Sequence, residues 1–297
     1  MAMDRRQFGR ALSGAALGSV LLSDVEALHA RRHPVTAASL QVSVMLWTVY
    51  AELPFEQRLE KAAEAGYPAV ELVTEYEDWS RDDFRRFNAK KRTLGITFDA
   101  MALTKTGIAN PKERGEFLAE LHRLLPIATE LECPAIIVLS GRKIRELSHE
   151  QQHQSCVECL KRAADIASGH KVTLLLENID PEENPQYFLT SAAEGFQIVH
   201  AVAHPNAKFL YDFYHAQIAE GNLIEKLEQH IDDLGLVHIA DVPGRHAPGT
   251  GEINYSNVFR RLAELRYDGY VAMEFVPTGD AVTELKAARE LVMRSSA

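Results

Sequence analysis

From Leu40 onward the chain alternates short apolar stretches with longer amphipathic ones, and this alternation limits the fold more than any other feature. The short stretches have the length and branched residues of β-strands, and the longer ones have the apolar spacing of α-helices. We predict strands at 41–47, 69–73, 96–101, 135–139, 172–176, 209–211, 236–240 and 270–273. We predict helices at 55–65, 81–93, 113–131, 149–168, 192–202, 223–234, 255–265 and 281–294.

Strands that alternate with helices in this way indicate a parallel sheet, and eight such units are enough to close a barrel. A doubly wound open sheet is the alternative, but its nucleotide-binding forms usually have a glycine-rich first turn. The first turn here, Thr48–Glu52, contains no glycine. We therefore predict an α/β protein in which residues 39–297 form one (β/α)8 barrel of the TIM type.

Composition supports one large domain and excludes some partners. The chain has 297 residues, of which 46% are hydrophobic, so it can bury a large core. Its formal net charge of -10 argues against nucleic acid as a partner, because nucleic-acid binders usually present a basic surface. After the first forty residues no apolar run is long enough to span a bilayer, so no membrane association is expected for that part of the chain.

The first residues have the character of a leader. Arg5-Arg6 is followed by Phe8, then by a weakly apolar run at 11–22, and then by small and polar residues up to about residue 38. This pattern resembles the twin-arginine export signal of bacteria. It predicts a signal peptide at 1–38 and a mature protein in the periplasm. The alternative is an ordinary amphipathic first helix with two surface arginines.

Four apolar strands in succession carry an acidic residue or a histidine at or near their ends. Glu177, Asp212, His238 and Glu274 recur at roughly the 30-residue interval of one βα unit. The carboxyl ends of barrel strands all open on one face, where barrel enzymes have their active sites. We therefore expect these four side chains to meet. Three carboxylates and one imidazole predict a site for a divalent ion such as manganese, magnesium or cobalt, rather than structural zinc.

The alternative to a metal site is that these four polar residues cap loops or pair with nearby arginines. The arginines available for such pairs are Arg142, Arg145 and Arg245. Three buried carboxylates without a cation would repel one another and raise one another's pKa. A metal ion would supply the missing positive charge and keep positions open for substrate oxygens.

Four segments carry a resemblance to a known family: Leu176–Ile179, Asp212–Gln217, Val237–Asn254 and Gly269–Glu274. They resemble the hydroxypyruvate isomerase family of the xylose isomerase-like TIM barrels. The likeness extends over about residues 41 to 295, and the loop Val-Pro-Gly-Arg-His within the third segment is its most specific part.

The resemblance implies roles for seven residues. Glu177, Asp212, His238 and Glu274 would bind the metal, and the two glutamates would also move the proton. His215, Arg245 and Glu183 would contact the substrate. The implied reaction moves a proton between adjacent carbons of a small hydroxy-carbonyl substrate through a metal-stabilised enediolate. The substrate expected first is hydroxypyruvate, which would give tartronate semialdehyde.

Other activities within the wider superfamily stay open. A ketose 3-epimerase or another sugar isomerase would use the same residues. A phosphodiesterase of the endonuclease IV type would require additional histidines near strand ends and a basic groove. A periplasmic binding barrel would keep the fold without turnover. The resemblance is also compatible with a homo-oligomer.

Overall fold

The computed structural model describes residues 39–297, and the eight strands found there form a closed barrel in sequence order. The strands are β1 Gln41–Met45, β2 Ala69–Leu72, β3 Thr97–Leu103, β4 Ala135–Leu139, β5 Thr173–Glu177, β6 Ala207–Asp212, β7 Leu234–Ile239 and β8 Tyr270–Met273. All neighbouring strands are parallel, and β8 pairs with β1 to complete the ring. The prediction of a (β/α)8 barrel is confirmed.

Helices connect the strands and cover the barrel. They are α1 Phe55–Glu64, α2 Arg81–Leu94, α3 Arg114–Leu131, α4 His149–Ser168, α5 Ala192–Val202, α6 Phe213–Ala219, α7 Leu223–Gln229, α8 Tyr255–Glu264 and α9 Ala281–Ser296. Ser80 and Ser148 form capping boxes, which explains where α2 and α4 begin.

Two features of the helical prediction are wrong. The helix predicted at 223–234 ends at Gln229, and a short 3-10 turn and the start of β7 occupy the remainder. Helix α6 is not predicted, because Asp212 both ends β6 and caps α6, with no linker between them.

The core has two layers. Apolar side chains fill the space between barrel and helices, and a smaller apolar cluster that includes Met45, Ile137 and Leu210 belongs to the barrel interior. Polar side chains are buried within the barrel as well. They are Ser43, Glu71, Asp99 and His238, with exposures between 0% and 3%. Buried polar groups require hydrogen-bond partners. In this group Ser43 contacts Asp99, and Glu71 contacts His238, which lies near the carboxyl end of β7.

The predicted signal peptide at 1–38 lies outside the described residues, so both the signal and the periplasmic location stay predictions. Between residues 39 and 297, no helix combines the length and the apolar character that crossing a bilayer requires.

Candidate active site and metal centre

Four adjacent strands bring the four predicted ligand residues together. Glu177 ends β5, Asp212 ends β6, His238 lies on β7, and Glu274 directly follows β8. One ligand atom of each lies within 4.8 Å of those of the others, and all four residues are buried. Asp212 pairs with His238 in the strand register, which puts the two side chains at one level of the barrel. We call these four residues the acidic cluster.

Asp212 divides its two carboxylate oxygens between the fold and the cluster. Its Oδ1 accepts hydrogen bonds from the backbone N–H groups of Tyr214, at 2.7 Å, and His215, at 3.3 Å. These bonds cap the first turn of α6. Its Oδ2 lies 3.5 Å from Arg245 Nη2 and 3.4 Å from His215 Nε2, on the side of the cluster.

His238 and Glu274 are held in the same way. His238 Nε2 lies 2.9 Å from Glu71 Oε2, and Trp47 Nε1 donates to Glu274 Oε1 at 2.8 Å. The remaining atoms, His238 Nδ1 and Glu274 Oε2, lie 2.7 Å apart. Neither forms a well-aligned hydrogen bond with any residue between 39 and 297. Two buried ligand atoms directed to the same space fit coordination of a shared cation, with Glu71 orienting the imidazole.

The electrostatics of the cluster favour a cation. Burial raises the pKa of the Glu177 carboxyl. Burial acts in the same sense on Glu274, but Arg245 and then His238 hold the pKa of Glu274 well below its usual value. Burial lowers the pKa of His238, whereas Glu71 and Glu274 raise it well above its usual value. A divalent cation would replace the positive charge of the imidazolium and leave the neutral ring as a ligand.

The donor set suits a divalent metal ion. Three carboxylates and one imidazole are hard to intermediate ligands, and these bind ions of the magnesium, manganese and cobalt type. Arg245 Nη2 lies 2.9 Å from Glu274 Oε2, so an arginine does pair with the cluster, as the alternative interpretation expects. Arg142 and Arg145 form no ion pair with it within the described part of the chain. The cluster could therefore hold a metal ion beside one fixed guanidinium.

Next to the cluster, Arg245 joins the other two residues predicted to contact substrate. Its Nη1 lies 3.2 Å from Glu183 Oε2 and 3.5 Å from His215 Nε2. The rings of Tyr214 and Trp47 flank the guanidinium carbon at 5.0 and 5.5 Å. The structure thus brings together all seven residues proposed from the sequence, with Arg245 between the acidic cluster and the loop that follows β5.

His215 is oriented by a residue that the sequence analysis does not identify. Its Nδ1 lies 2.6 Å from Asp180 Oδ2, and Asp180 Oδ1 accepts from the backbone N–H groups of Glu182 and Glu183. Burial lowers the pKa of His215, but the Asp212 carboxylate and the bond to Asp180 together raise it to about 9. These contacts favour the protonated imidazole in the metal-free protein, with Nε2 directed to the cluster.

Asp241 fixes the loop that carries Arg245. Its two oxygens accept four backbone hydrogen bonds, each 2.8 to 3.0 Å long, from Val242, Gly249, Gly251 and Ile253. A Cβ on Gly251 would lie 2.0 Å from the Val242 carbonyl oxygen, so this close approach requires glycine. Arg245 itself has a φ of 57°, in the left-handed region that costs energy for residues other than glycine. The loop is thus held in the conformation that presents Arg245.

Five contributors to the site are missing from the prediction: Trp47, Glu71, Asp180, Tyr214 and Asp241. Asp180 lies three positions beyond Glu177, in the same strand-end loop, and this position is the only signal that could have indicated it. Trp47 lies at the end of the first predicted strand, but its contact with Glu274 spans 227 positions. Glu71 interrupts an apolar strand, which is a weak sign of a buried partner.

A cavity of about 260 Å³ opens above the cluster. Its apolar lining includes Met45, Val73 and Ile137. Its charged lining consists of side chains of the cluster and its neighbours, namely Glu177, Glu183, His215, Arg245 and Glu274. A small polar molecule would meet paired glutamates, two cationic donors and a metal-binding set at once. This arrangement can bind oxygen atoms and transfer protons.

Comparisons with known proteins agree with this architecture. A 2-oxo-tetronate isomerase of Haemophilus influenzae is 32% identical over 249 residues, which cover 81% of this chain and 95% of that protein. A hydroxypyruvate isomerase of Escherichia coli is 32% identical over 243 residues, covering 80% and 94%. A crystal structure of an AP endonuclease, family 2, from Brucella melitensis superposes with a TM-score of 0.76 at 29% identity, covering 83% and 96%. The family model for the xylose isomerase-like TIM barrel matches residues 59–294, and the chain belongs to that family.

Proposed function

We propose that this protein is an isomerase that moves a proton between adjacent carbons of a small hydroxy-carbonyl substrate. The acidic cluster carries this proposal, because it places the carboxylates of Glu177 and Glu274 within 4.8 Å of each other at the base of a cavity. The similarity to proteins named 2-oxo-tetronate isomerase and hydroxypyruvate isomerase supports it. The substrate proposed first is hydroxypyruvate, with tartronate semialdehyde as the product.

The two glutamates would transfer the proton. One carboxylate removes a proton from the hydroxyl-bearing carbon beside the carbonyl, and the other, protonated beforehand, delivers a proton to the carbonyl carbon. The hydroxyl proton passes to the former carbonyl oxygen, so the transfers together give an isomerisation with no net change in protons. Both are fixed by the barrel at the required separation, so little reorganisation accompanies the transfer. A divalent ion held by Glu177, Asp212, His238 and Glu274, proposed as manganese, magnesium or cobalt, would lower the pKa of the substrate proton by stabilising negative charge on the adjacent oxygens.

The neighbouring cations would hold the substrate. Arg245 presents two guanidinium nitrogens, a geometry suited to a carboxylate or to two adjacent oxygens. His215 Nε2 can donate to the oxygen on which negative charge develops, because Asp180 holds the ring through Nδ1. The rings of Trp47 and Tyr214 shield Arg245 from water. Less screening by water strengthens the hydrogen bonds that Arg245 and His215 would form with the substrate.

The test is hydrogen exchange followed by NMR in D2O. Residues 39–297, loaded in turn with manganese, magnesium or cobalt, would be incubated with hydroxypyruvate. We expect deuterium to enter the carbon beside the carbonyl. Glu177→Gln and Glu274→Gln should each slow this exchange by about 10²- to 10⁴-fold, the usual contribution of a general acid or base.

Glu182→Gln is the matched control, since Glu182 is an exposed glutamate in the loop after β5 and is not part of the cluster. It should exchange at the rate of the unaltered protein. Full exchange in both cluster variants would exclude the proposed roles of the two glutamates. Absence of exchange in the unaltered protein, with every metal, would favour a binding barrel without turnover.

A further inference from the structure

A second set of metal-binding side chain types lies where helices α4 and α5 begin. His149 is the first residue of α4, and His153 follows four positions later, the spacing that puts two side chains on one face of a helix. Glu194 lies in the first turn of α5. None of the roles proposed above uses these three residues, which we call the α4–α5 group.

The two imidazoles of the α4–α5 group converge on one oxygen atom. His149 Nε2 lies 2.8 Å from Glu194 Oε1, and His153 Nδ1 lies 3.0 Å from the same atom. Two helices therefore direct two ring nitrogens and one carboxylate oxygen to a single place. Two histidines and a glutamate are one of the ligand sets that hold zinc in proteins.

Packing fixes part of the α4–α5 group and leaves part of it accessible. The side chains of His153 and Glu194 are only 19% and 14% exposed, whereas that of His149 is 67% exposed. The His149 ring packs against Phe188, with the ring centroids 4.9 Å apart. Two of the three side chains are thus held in place, and the third lies at the surface, where a metal ion can enter and where the ring can adjust to it.

The donor types of the α4–α5 group favour a late first-row transition metal over magnesium. Imidazole nitrogens suit zinc, nickel and copper(II), whereas magnesium prefers oxygen ligands. The positive ends of α4 and α5 oppose a cation at this place, and the Glu194 carboxylate supplies compensating negative charge. The preference therefore differs from that of the acidic cluster, which has three carboxylates and one imidazole.

We propose that His149, His153 and Glu194 bind a second metal ion, of the zinc, nickel or copper(II) class. The site uses no residue of the acidic cluster and does not depend on the proposed function. The ion replaces the hydrogen-bonding protons between the two rings and Glu194, and three protein ligands leave a position for water. It joins the helices on either side of β5, and so braces the loop that carries Asp180 and Glu183.

The test is a titration of the full chain with zinc at neutral pH, followed by calorimetry and by NMR of the imidazole C–H signals. His149→Gln combined with His153→Gln should bind one equivalent of zinc fewer than the unaltered protein, whatever the acidic cluster binds. In the unaltered protein zinc should shift the His149 and His153 signals together, and magnesium should not. His200→Gln combined with His204→Gln is the control, because these rings approach two different aspartates, and it should keep every equivalent.

Glu194→Gln keeps an oxygen that can accept hydrogen bonds from both rings but loses the negative charge. It should bind this zinc ion about tenfold more weakly, and it decides the question alone if the double variant does not fold. Unchanged zinc binding in Glu194→Gln, an equal number of zinc equivalents in the double variant, or equal affinity for magnesium would each overturn the inference. Absence of exchange with hydroxypyruvate would contradict the proposed function and leave these results unaffected.

Discussion

Residues of the acidic cluster use one polar atom to fix the position of another. Asp212 caps a helix through Oδ1, His238 contacts Glu71 through Nε2, and Glu274 accepts from Trp47 through Oε1. In each case the second polar atom is left for the site. His215 follows the same arrangement, since Asp180 holds Nδ1 and Nε2 is directed to the site. The geometry of the ligand atoms is thus set by the protein before metal or substrate binds.

Asp180→Asn should lower the pKa of His215 from about 9, because a neutral amide does not favour the imidazolium. The measurement is an NMR titration of the imidazole C–H signals in the metal-free protein. A raised histidine pKa stabilises the fold fully below the ordinary value of 6.5, and this contribution disappears as the pH rises through about 9. The stability difference between variant and parent should therefore be largest below pH 6.5.

Asp82→Asn, at an exposed aspartate on α2, is the control and should leave the His215 titration unchanged. An unchanged pKa of His215 in Asp180→Asn would show that the Asp180 carboxylate does not determine the charge of His215.

Among the elements of the fold, the loop between β7 and α8 depends most on a single side chain. Asp241 has no exposed surface and accepts four backbone hydrogen bonds from the loop. The loop in turn places Arg245, whose Nε donates to the Glu274 carbonyl at 3.2 Å and whose Nη2 reaches the Glu274 side chain. Asp241 is thus a positioning residue for Arg245 without touching it.

Asp241→Ala should destabilise the protein by about 3 kcal/mol, because it leaves several buried N–H groups without acceptors. Urea denaturation measures this loss, and amide hydrogen exchange should show faster opening confined to residues 242–254. Asp241→Asn keeps one acceptor oxygen. Its loss of stability and its increase in local amide exchange should therefore both be smaller. Equal losses in the two variants, with no local change in exchange, would contradict the assigned role.

On the scale of the whole molecule, the barrel interior contains a line of buried polar groups beneath the cluster. Ser43 Oγ donates to Asp99 Oδ1 at 2.6 Å, and Glu71 contacts His238 on the opposite side of the barrel. The second oxygens of Asp99 and Glu71 have no hydrogen-bond partner in the described part of the chain. Burial and then the Glu71 charge raise the pKa of Asp99 well above its usual value. Ionisation of Asp99 in this interior therefore lowers the free energy of unfolding.

Asp99→Asn should stabilise the metal-free protein, and the gain should grow as the pH rises. A carboxyl whose pKa is raised on folding loses stability as the pH increases from its ordinary value of 3.8 to its folded value. The amide has no such cost and still accepts from Ser43. Urea denaturation at pH 5, 6.5 and 8 measures the gain, at most about 1.4 kcal/mol per pH unit.

In the same experiment Asp82→Asn should give no gain that grows with pH, since Asp82 is exposed on α2. A gain from Asp99→Asn that is constant between pH 5 and 8 would show that the Asp99 carboxyl is already ionised in the folded protein.

Much of the barrel follows from local pattern. The bounds of β4, α4 and α5 agree with the prediction, because apolar spacing and cap residues act within a few positions. The positions of Glu177 and Asp212 follow from the rule that parallel strands end at one edge. The shared level of the four cluster residues is therefore predictable without any knowledge of side-chain contacts.

Contacts across the barrel are not predictable in this way. The contact of Glu71 with His238 joins β2 to β7 over 167 positions, and no local pattern specifies which strands face each other at that depth. The loops after β3 and β4 touch where Gly107 approaches Gly141, a contact that the sequence shows only as two separate glycines. Such features depend on closure of the barrel, which brings together residues that are far apart in the sequence.

The distribution of the acidic cluster around the barrel bears on how the sequence of such a protein can change during evolution. The four cluster residues lie at or next to the ends of β5 to β8, one half of the ring, whereas Thr104 and Leu139, at or next to the ends of β3 and β4, border the cavity above the cluster without belonging to it. Substitutions or insertions after β3 and β4 would therefore reshape the cavity and leave the four cluster residues in place. In such a barrel the shape of the cavity and the composition of the cluster can change independently during evolution.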